Sequence, residues 1–524
     1  MFLINLITIF LLINYVISLK ILINNPKFGY SHVNFFSRVA DILVEAGHDV
    51  TVLAIEMDTT VKHKGAMKAK IFDVKGDDEA IRLLSDKSKM HQMWENDDDL
   101  FKKVELFKDF TKGIQLTGVK VFHDKELENF VKSQNFDVAI SEWYTVYMFG
   151  LFKAWGIKTT ISASSVGFLN LNYAPFGMHF SSSYIPNGFQ LSTDKMSYFE
   201  RAENLFGHIL IRYAVDRNND KAFMKEFFDA KYGEGFFQGD RALGDSCYFL
   251  ANSNPFFDIP VPKPPKVIEI SGIGIEKGKM LNEYWDKILS LREKTVLISF
   301  GSVAKSSLMP LKMKENIVET ITKFSNVTFI WKYETPEDGT IKKIDNLILS
   351  KWTPQYDMLY DGRLSLFITH GGINSLNEIV YTGSVALSIP IFGDQFKNSM
   401  LLEKRKIGIS MNRKDLMNSN VLFKNINELL HNDVYKNNSK VISSMLKNNP
   451  VNSTETLIRH VEFCGKFSNN SFLDLESRNM GVIVFYNLDI IIPLIIILMS
   501  LFILILLFVI EKGKKLIFIK KKTD

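Results

Sequence analysis

The sequence predicts an α/β chain of two doubly wound halves that face each other across a cleft, followed by one transmembrane helix. Short apolar strands alternate with amphipathic helices from residue 20 onward, and the alternation starts again at residue 295. A proline-rich stretch separates the halves, and a run of 21 residues without a charge, 490–510, follows them. At 524 residues, the chain is long enough to form two or three domains with sizeable cores.

Changes in composition divide the chain into segments. Residues 1–18 are apolar, lack acidic residues and end in Val16-Ile17-Ser18, a pattern typical of a cleaved signal peptide. Lys20 and the strand-like residues after it argue against the alternative of a signal anchor. The predicted segments are a signal peptide at 1–18, an N-terminal domain at 19–254, a proline-rich linker at 255–265, a C-terminal domain at 266–450, a helix and stalk at 451–484, a transmembrane helix at 490–510 and a basic tail at 511–524.

The first half opens with a β–α–β unit. Residues 20–25 and 50–53 are predicted strands, with an amphipathic helix between them and His32 in the loop after the first strand. Residues 136–142 form a further predicted strand that ends in the carboxylate of Glu142. Because ligands bind at the carboxyl ends of strands in such sheets, His32 and Glu142 are expected at the functional edge.

Two stretches of the first half give weaker signals. Residues 60–125 are charged and predict helices without clear strands. Asp97-Asp98-Asp99 contains an Asp-x-Asp pattern that can hold a divalent cation, but it follows Glu95-Asn96 rather than a buried strand. A solvated helix end without metal is therefore predicted there. Residues 165–235 are rich in aromatic residues, Ser and Gly, and they suit either a substrate pocket or a membrane-facing surface.

The second half contains the most informative run of the chain, residues 367–378. A strand ends in Phe367-Ile368-Thr369, Gly371-Gly372 makes a tight turn, and a helical pattern follows at once. Backbone can approach a ligand closely at the glycines, and a helix N-terminus favours a phosphate. Strands are also predicted at 295–300, 327–331 and 346–349.

Polar residues in and around this run match the parts of one nucleotide-sugar. The indole of Trp352 suits the base, and the carboxylate of Glu378 suits the two ribose hydroxyls. For any one residue, a capping role in an ordinary strand–loop–helix unit is the favoured alternative, but the whole set favours a nucleotide-sugar site. The set comprises Trp352 and Gln355 for the base, His370, Gly372, Asn374 and Ser375 for the diphosphate, Glu378 for the ribose, and Asp394 and Gln395 for the sugar.

This run resembles the signature of the UDP-glycosyltransferases, in particular the UDP-glucuronosyltransferase type and its invertebrate members. The similarity extends over almost the whole chain and is closest in residues 295–410. One departure is Gly383-Ser384-Val385, where the family usually has Gly-Val-Pro or a similar sequence. The resemblance implies the GT-B architecture, in which the N-terminal domain binds the acceptor and the C-terminal domain binds the UDP-sugar.

The resemblance also implies the reaction and the residues that carry it. The family transfers a sugar, here glucuronic acid or glucose, from a UDP-sugar to a hydroxyl of a small lipophilic acceptor, with inversion and without a metal or a further cofactor. Gly29-Tyr30-Ser31-His32 matches the family's first-loop motif, so His32 is the implied general base and Glu142, at a position that is often Asp, its partner. Ser302 and Lys332 are implied donors to the diphosphate, with Lys332 where relatives often carry Arg.

Two other classes of protein are weighed against this interpretation. A membrane-anchored UDP-sugar-binding protein without catalytic activity would keep the donor segment but lose His32 or Glu142, and both are present. An NAD-dependent oxidoreductase would need a glycine fingerprint, but Gly272-Ile273-Gly274 is followed by Lys277 at the position of the third glycine. The sequence leaves open the donor sugar, the acceptor and whether the chain forms a homo-oligomer.

The C-terminal tail carries most of the net positive charge. Six lysines and two acidic residues after Ile510 give +4 against +5 for the whole chain. This asymmetry predicts a cytosolic tail and a lumenal body, and it argues against nucleic-acid binding. Lys521 and Lys522 resemble a dilysine retrieval signal of single-pass type I endoplasmic reticulum proteins, although a plain stop-transfer flank also explains the charge. Sequons that fit a lumenal face begin at Asn326, Asn437, Asn452 and Asn469.

The chain has two cysteines, Cys247 and Cys464, in different halves of the sequence. This number and spacing predict neither a disulfide framework nor a cysteine metal site. Whether the two cysteines pair with each other is left open.

Overall fold

The computed structural model describes residues 18–523 except 62, 87–90, 92, 96–99, 188–189, 276 and 470. The predicted signal peptide, apart from Ser18, lies outside the described residues. The Asp97-Asp98-Asp99 pattern lies outside them as well.

The first domain is built on a parallel sheet of seven strands with the order β3-β2-β1-β4-β5-β6-β7. Residues 60–125 do contain a strand, contrary to the prediction, because β3 is an edge strand whose mostly exposed side chains give no apolar run. The strands are β1 Lys20–Asn24, β2 Asp49–Ile55, β3 Lys70–Val74, β4 Val138–Glu142, β5 Thr159–Ser164, β6 Phe249–Ala251 and β7 Val267–Glu269.

Helices cover both faces of this sheet, because its central strands are apolar on both sides. Leu22 of β1 packs into one core, whereas its neighbours Ile21 and Ile23 pack into the other, and all three are fully buried. The helices are α1 Tyr30–Glu45, α2 Asp78–Leu84, α3 Leu100–His123, α4 Lys125–Gln134, α5 Tyr147–Ala154, α6 Tyr198–Ala222, α7 Lys225–Tyr232 and α8 Gly239–Asp245.

The second domain repeats this plan with a six-stranded parallel sheet of order β10-β9-β8-β11-β12-β13. Its strands are β8 Lys294–Ser299, β9 Val327–Lys332, β10 Leu347–Ser350, β11 Leu364–Thr369, β12 Ala386–Ser388 and β13 Gly408–Ser410. Its helices are α9 Glu283–Leu289, α10 Leu311–Thr322, α11 Gln355–Asp361, α12 Ile373–Thr382, α13 Gln395–Lys404, α14 Ser419–His431 and α15 Asp433–Lys447. Two parallel sheets in two α/β domains confirm the predicted fold class.

The predicted domain boundary at residue 266 is wrong. Val267–Glu269 pairs with Phe249–Ala251 and so completes the first sheet after the proline-rich stretch. The chain crosses between the domains at residues 271–274 instead. Arg38 of α1 donates to the carbonyl of Gly274, and the Tyr381 hydroxyl of α12 donates to the Ser271 carbonyl at 3.2 Å. Both domains therefore hold the crossing segment.

After the second domain, helix α16, Ser453–Phe467, returns to the first sheet. Its residues Leu457, Val461 and Cys464 are fully buried in the same core as Ile21 and Ile23. Cys464 forms a disulfide with Cys247, with a Cα–Cα distance of 6.0 Å, and this settles the pairing that the sequence left open. The bond fixes the returning helix to the first domain.

The chain ends in α17, Val482–Phe485, and the long helix α18, Leu488–Thr523. Within the described residues, the stretch Leu488–Lys514 is the one helix that is long and apolar enough to cross a membrane, and none of its most apolar window is buried against protein. It fits the predicted single-pass membrane anchor.

Candidate active site

Two predicted residues of the first domain meet at the carboxyl edge of its sheet. His32 Nδ1 lies 2.8 Å from Glu142 Oε2, and the Glu142 side chain is completely buried. His32 lies in the first turn of α1 rather than in the preceding loop, because the helix already begins at Tyr30. Glu142 is the last residue of β4, the direct neighbour of β1. The Glu142 carboxylate accepts from His32 Nδ1–H and thereby leaves Nε2 as the ring's basic nitrogen.

Ser165 is the third member of this cluster, and it was missed in the sequence. Its Oγ lies 2.6 Å from His32 Nδ1 and 2.8 Å from Glu142 Oε2, and its N–H donates to Glu142 Oε1 at 3.3 Å. Ser165 is fully buried and directly follows β5, which pairs with β4. The available signal was its position: a hydroxyl at the end of the strand next to the one that carries Glu142.

Aromatic rings surround the outer side of His32. The ring of Tyr144 lies 5.5 Å from the imidazole, and that of Phe28 lies 6.4 Å from it, centroid to centroid. Phe110 of α3 joins the two, at 5.0 Å from Phe28 and 5.4 Å from Tyr144. A flat apolar molecule bound here would contact ring faces and edges beside the imidazole.

The predicted phosphate-binding side chains of the second domain lie around one imidazole. The His370 ring fits between Gly301 and Gly372, where an added Cβ would come within 2.6 Å of ring atoms on either side. Burial lowers the pKa of His370 to about 4, and the nearby Lys332 ammonium adds to the effect. Nδ1 of His370 is buried without a hydrogen-bond partner among the described residues. The ring is therefore neutral near pH 7 and has a nitrogen free for a ligand.

The remaining predicted phosphate ligands flank this ring. Lys332 ends β9 and donates from Nζ to the Gly301 carbonyl at 2.6 Å, which holds the loop after β8. Burial lowers the pKa of Lys332. Ser302 is exposed in the same loop, and Asn374 and Ser375 lie in the first turn of α12, where the helix N-terminus favours negative charge.

The predicted base and ribose ligands form a second cluster, beside the first turn of α12. Gln355 Nε2 donates to Glu378 Oε2 at 2.6 Å and to Ser375 Oγ at 3.2 Å. Burial raises the pKa of Glu378 to about 7, against the lowering effects of Gln355 and Arg38. Trp352 lies just before α11 with 65% of its surface exposed, so its indole face is open to stacking.

The predicted sugar ligands have different surroundings. Asp394 lies immediately before α13 and accepts from Asn398 Nδ2 at 2.8 Å, and burial raises the pKa of its carboxyl group. Gln395 is 2% exposed, and its Oε1 accepts from the N–H groups of Ile391 at 2.9 Å and Phe392 at 3.1 Å. The Gln395 oxygen therefore holds its own loop instead of facing a sugar.

The His32–Glu142 cluster of the first domain faces the predicted donor-binding residues of the second domain across the cleft. His32 of the first domain lowers the pKa of Asp394 in the second, which places the two side chains within electrostatic reach. Arg38, six residues after His32 on α1, acts in the same way on Glu378. His32 and Arg38 of the first domain thus face Asp394 and Glu378 of the second across one interdomain space.

Comparison with known sequences identifies this arrangement. The family model described as UDP-glucoronosyl and UDP-glucosyl transferase matches residues 20–523. The chain belongs to this family. It is therefore a UDP-glycosyltransferase, an enzyme that transfers a sugar from a UDP-sugar, as the resemblance predicted.

Relatives of known sequence agree with this assignment. The ugt-46 protein of Caenorhabditis elegans and the ugt-47 protein of Caenorhabditis briggsae, both named as candidate UDP-glucuronosyltransferases, are each 28% identical to the chain. The matches cover 92% and 93% of this chain and 91% and 92% of the relatives.

The solved structures show the fold. A glycotransferase of kitacinnamycin matches with a TM-score of 0.57 at 15% identity, over 86% of this chain and 99% of its own. LpCGTa in complex with UDP matches with a TM-score of 0.54 at 14% identity, over 86% and 100%. These neighbours confirm the GT-B architecture of the two domains.

Proposed function

We propose that the enzyme transfers a glucuronic acid or glucose unit from a UDP-sugar to a hydroxyl of a small lipophilic acceptor, with inversion at the anomeric carbon. The observation that carries the proposal is the contact of His32 with the buried Glu142 at a sheet edge that faces the donor cluster. A neutral imidazole is the natural base near pH 7. A binding protein without catalysis would have no use for this buried pair.

In the proposed mechanism, His32 takes the proton of the acceptor hydroxyl as its oxygen attacks the anomeric carbon. The bond from that carbon to the β-phosphate oxygen breaks, and UDP leaves with the electron pair. Glu142 holds the Nδ1 proton and stabilises the imidazolium that forms. Attack from the face opposite UDP makes the product β-linked.

Fixed donors of the second domain would stabilise the leaving diphosphate. They are His370, Ser302, Lys332 and the N–H groups at the start of α12. Glu378 would bind the ribose, Trp352 the base and Asp394 the sugar, and no cofactor beyond the donor substrate is needed.

The proposal is tested by incubating purified enzyme with UDP-glucuronic acid or UDP-glucose and a panel of phenols and steroids. We expect a β-linked conjugate with at least one acceptor, identified by the anomeric coupling in its proton NMR spectrum. An α-linked product would contradict inversion. Hydrolysis of the donor without a conjugate would contradict the acceptor class.

Ser165 provides a separate prediction about the His32 base. Replacing Ser165 by Ala removes a hydroxyl that donates to Glu142, so the carboxylate keeps more negative charge to stabilise the imidazolium. A hydrogen bond to a charged group contributes roughly 1.5–3 kcal/mol, so the acidic limb of the pH–rate profile should move to higher pH by about one unit.

The matched control is Ser164→Ala. Ser164 is also fully buried, but its hydroxyl has no hydrogen-bond partner among the described residues. We expect its pH–rate profile to match that of the wild type. Equal shifts of the pH–rate profile in both variants would show a general packing effect, and Ser165 would then have no specific role beside His32.

We further propose that the enzyme is a type I protein of the endoplasmic reticulum membrane with a lumenal body. The support is the apolar stretch Leu488–Lys514 and the lysine-rich tail after it. Replacing Lys521 and Lys522 by Ser should let the protein leave this compartment, so its glycans should become resistant to endoglycosidase H. Lys514→Ser with Lys515→Ser removes the same charge elsewhere in the tail and should leave the glycans sensitive. If the glycans stay sensitive to endoglycosidase H in both variants, Lys521 and Lys522 act only as a stop-transfer flank.

A further inference from the structure

A tryptophan of the first domain is buried in the core of the second. Trp94 belongs to the part of the chain between α2 and α3, and its side chain is 1% exposed. Among the described residues, the other buried members of the core around it all come from the second domain. The edge of one ring meets the face of the other between Trp94 and Phe300, with centroids 5.1 Å apart. A buried indole of this size makes a large apolar contact, so it joins the two domains at this point.

The indole N–H of Trp94 bonds to the loop that follows β8. Its Nε1 donates to the Lys305 carbonyl at 3.2 Å. The loop begins with Gly301, which lies directly against the His370 ring, and it carries Ser302. One end of the loop is therefore at the proposed diphosphate ligands, and the other end is held by a residue of the first domain.

The residue before Trp94 is bonded near a second loop of the donor site. The Met93 carbonyl accepts from Arg413 Nη1 at 2.5 Å, and the same nitrogen donates to the Ile391 carbonyl at 3.1 Å. Ile391 follows β12, in the loop that leads to Asp394. Since β8 and β12 are the two neighbours of β11, one short segment of the first domain holds the loops on both sides of the central strand.

The helices that flank Trp94 in the sequence are packed together in the first domain. Lys112 of α3 forms an ion pair of 2.7 Å with Glu79 of α2. The backbone of α3 also lies close to α2 at Gly113, where an added Cβ would come within 2.9 Å of Leu84. Trp94 thus reaches the second domain from a well-packed part of the first.

We propose that Trp94 is a positioning residue for the donor. It holds the loop after β8 in the conformation in which the groups of that loop reach the diphosphate, and it does not touch the donor itself. Because ordering a flexible loop on binding costs affinity, a loop that is already held binds its ligand more tightly. The base and ribose ligands Trp352 and Glu378 lie beside α11 and α12, so the effect should be confined to the diphosphate. The inference rests on the diphosphate role proposed above for this loop.

The test compares UDP with uridine, which has the same base and ribose but no diphosphate. Trp94→Phe keeps an aromatic ring in the core but removes the N–H that bonds to Lys305, and Trp94→Leu removes the ring as well. The matched control is Trp285→Phe, since Trp285 of α9 is also buried in the second domain, at 5% exposure, but in a different core cluster. The full-length enzyme is titrated with UDP by calorimetry and with uridine by ligand-observed NMR.

We expect UDP affinity to fall about tenfold in Trp94→Leu, the usual effect of losing one hydrogen bond to a charged group, and by a smaller factor in Trp94→Phe. Uridine affinity should remain that of the wild type, which also reports that each variant is folded. Trp285→Phe should bind both ligands normally. Unchanged UDP affinity in both Trp94 variants would overturn the proposal. Equal losses of UDP and uridine affinity would show a general packing effect and would overturn it as well.

Ser302→Ala separates this inference from the donor assignment on which it rests. If Trp94 acts through the loop, Ser302→Ala should weaken UDP binding in the wild type but add little in Trp94→Leu. The same loss in both backgrounds would show that the two residues act independently and would overturn the proposal. Normal UDP binding by Ser302→Ala alone would instead contradict the diphosphate role of Ser302 in the proposed function. A UDP-specific loss in Trp94→Leu would then still support the holding of the loop, through Gly301.

Discussion

His32→Ala is expected to reduce turnover by about 10²–10⁴-fold, the usual contribution of a positioned general base. The expectation follows from the 2.8 Å contact with Glu142 and from the position of both residues at one sheet edge. UDP binding should stay close to that of the wild type, because every proposed donor ligand lies in the second domain. The measurement is turnover with one accepted phenol, alongside calorimetric UDP binding on folded protein.

Two further variants and a control test whether the loss of turnover comes from the His32–Glu142 pair. Glu142→Ala should also be damaging, and the double variant should lose little more than His32→Ala alone, because the two residues act as a unit. His431→Ala replaces an exposed histidine of α14 and should retain full activity. Full activity in His32→Ala would remove the proposed base.

The same assay with EDTA tests the proposed independence from metal. Activity should persist in the chelator, because the second domain supplies Lys332 and helix N–H groups to neutralise the diphosphate. Abolition of wild-type activity by EDTA would contradict this independence and make Asp97-Asp98-Asp99 the candidate cation site.

Much of the fold can be predicted from the sequence because its central strands are apolar on both sides and separated by amphipathic helices. An unbroken apolar run such as Ile21, Leu22 and Ile23 is typical of a parallel strand that is covered by helices on both faces. Edge strands lose this signal, which is why β3 was missed. The boundary at 266 was wrong for a related reason: prolines mark an irregular stretch, but they do not say which sheet the next strand joins.

The residues of the candidate site likewise fall into those that local sequence patterns predict and those that depend on long-range contacts. His32, His370 and Glu378 stand in local motifs, so their places in the strand–loop–helix units that begin with β1 and β11 could be predicted from the sequence pattern. Ser165 could not, because its role comes from the pairing of β4 with β5, and this pairing is a long-range contact. The Cys247–Cys464 bond, across 217 residues, is equally invisible to local patterns.

Gln355 and Gln395 show a subtler limit of the sequence. Residue type and spacing predicted that both amides would face ligand, and in the structure each one makes protein contacts. Gln355 bonds to Glu378 and stays within the ribose cluster, whereas the oxygen of Gln395 is used by backbone N–H groups of its own loop. A side chain's partner among several nearby groups is decided by three-dimensional geometry.

UDP affinity should fall about tenfold or more in Glu378→Ala, since a hydrogen bond to a charged acceptor contributes roughly 1.5–3 kcal/mol. Trp352→Ala should also weaken UDP binding through lost stacking. Glu403→Gln, which removes an exposed carboxylate from α13 in the same domain, serves as the control and should bind UDP normally. Unchanged UDP affinity in both Glu378→Ala and Trp352→Ala would overturn the donor assignment.

The raised pKa of Glu378, about 7, adds a pH dependence with a definite sign. Above pH 7 the group is a carboxylate and accepts strong hydrogen bonds from both ribose hydroxyls, whereas below pH 7 it takes up a proton and loses that charge. Wild-type UDP affinity should therefore fall between pH 8 and pH 6 more steeply than the affinity of Glu378→Gln, whose amide does not titrate in this range. UDP's own phosphate titrates near the lower limit, so the difference between the two proteins, measured by calorimetry, isolates the side chain. Parallel pH profiles would show that Glu378 does not accept from the ribose as a carboxylate.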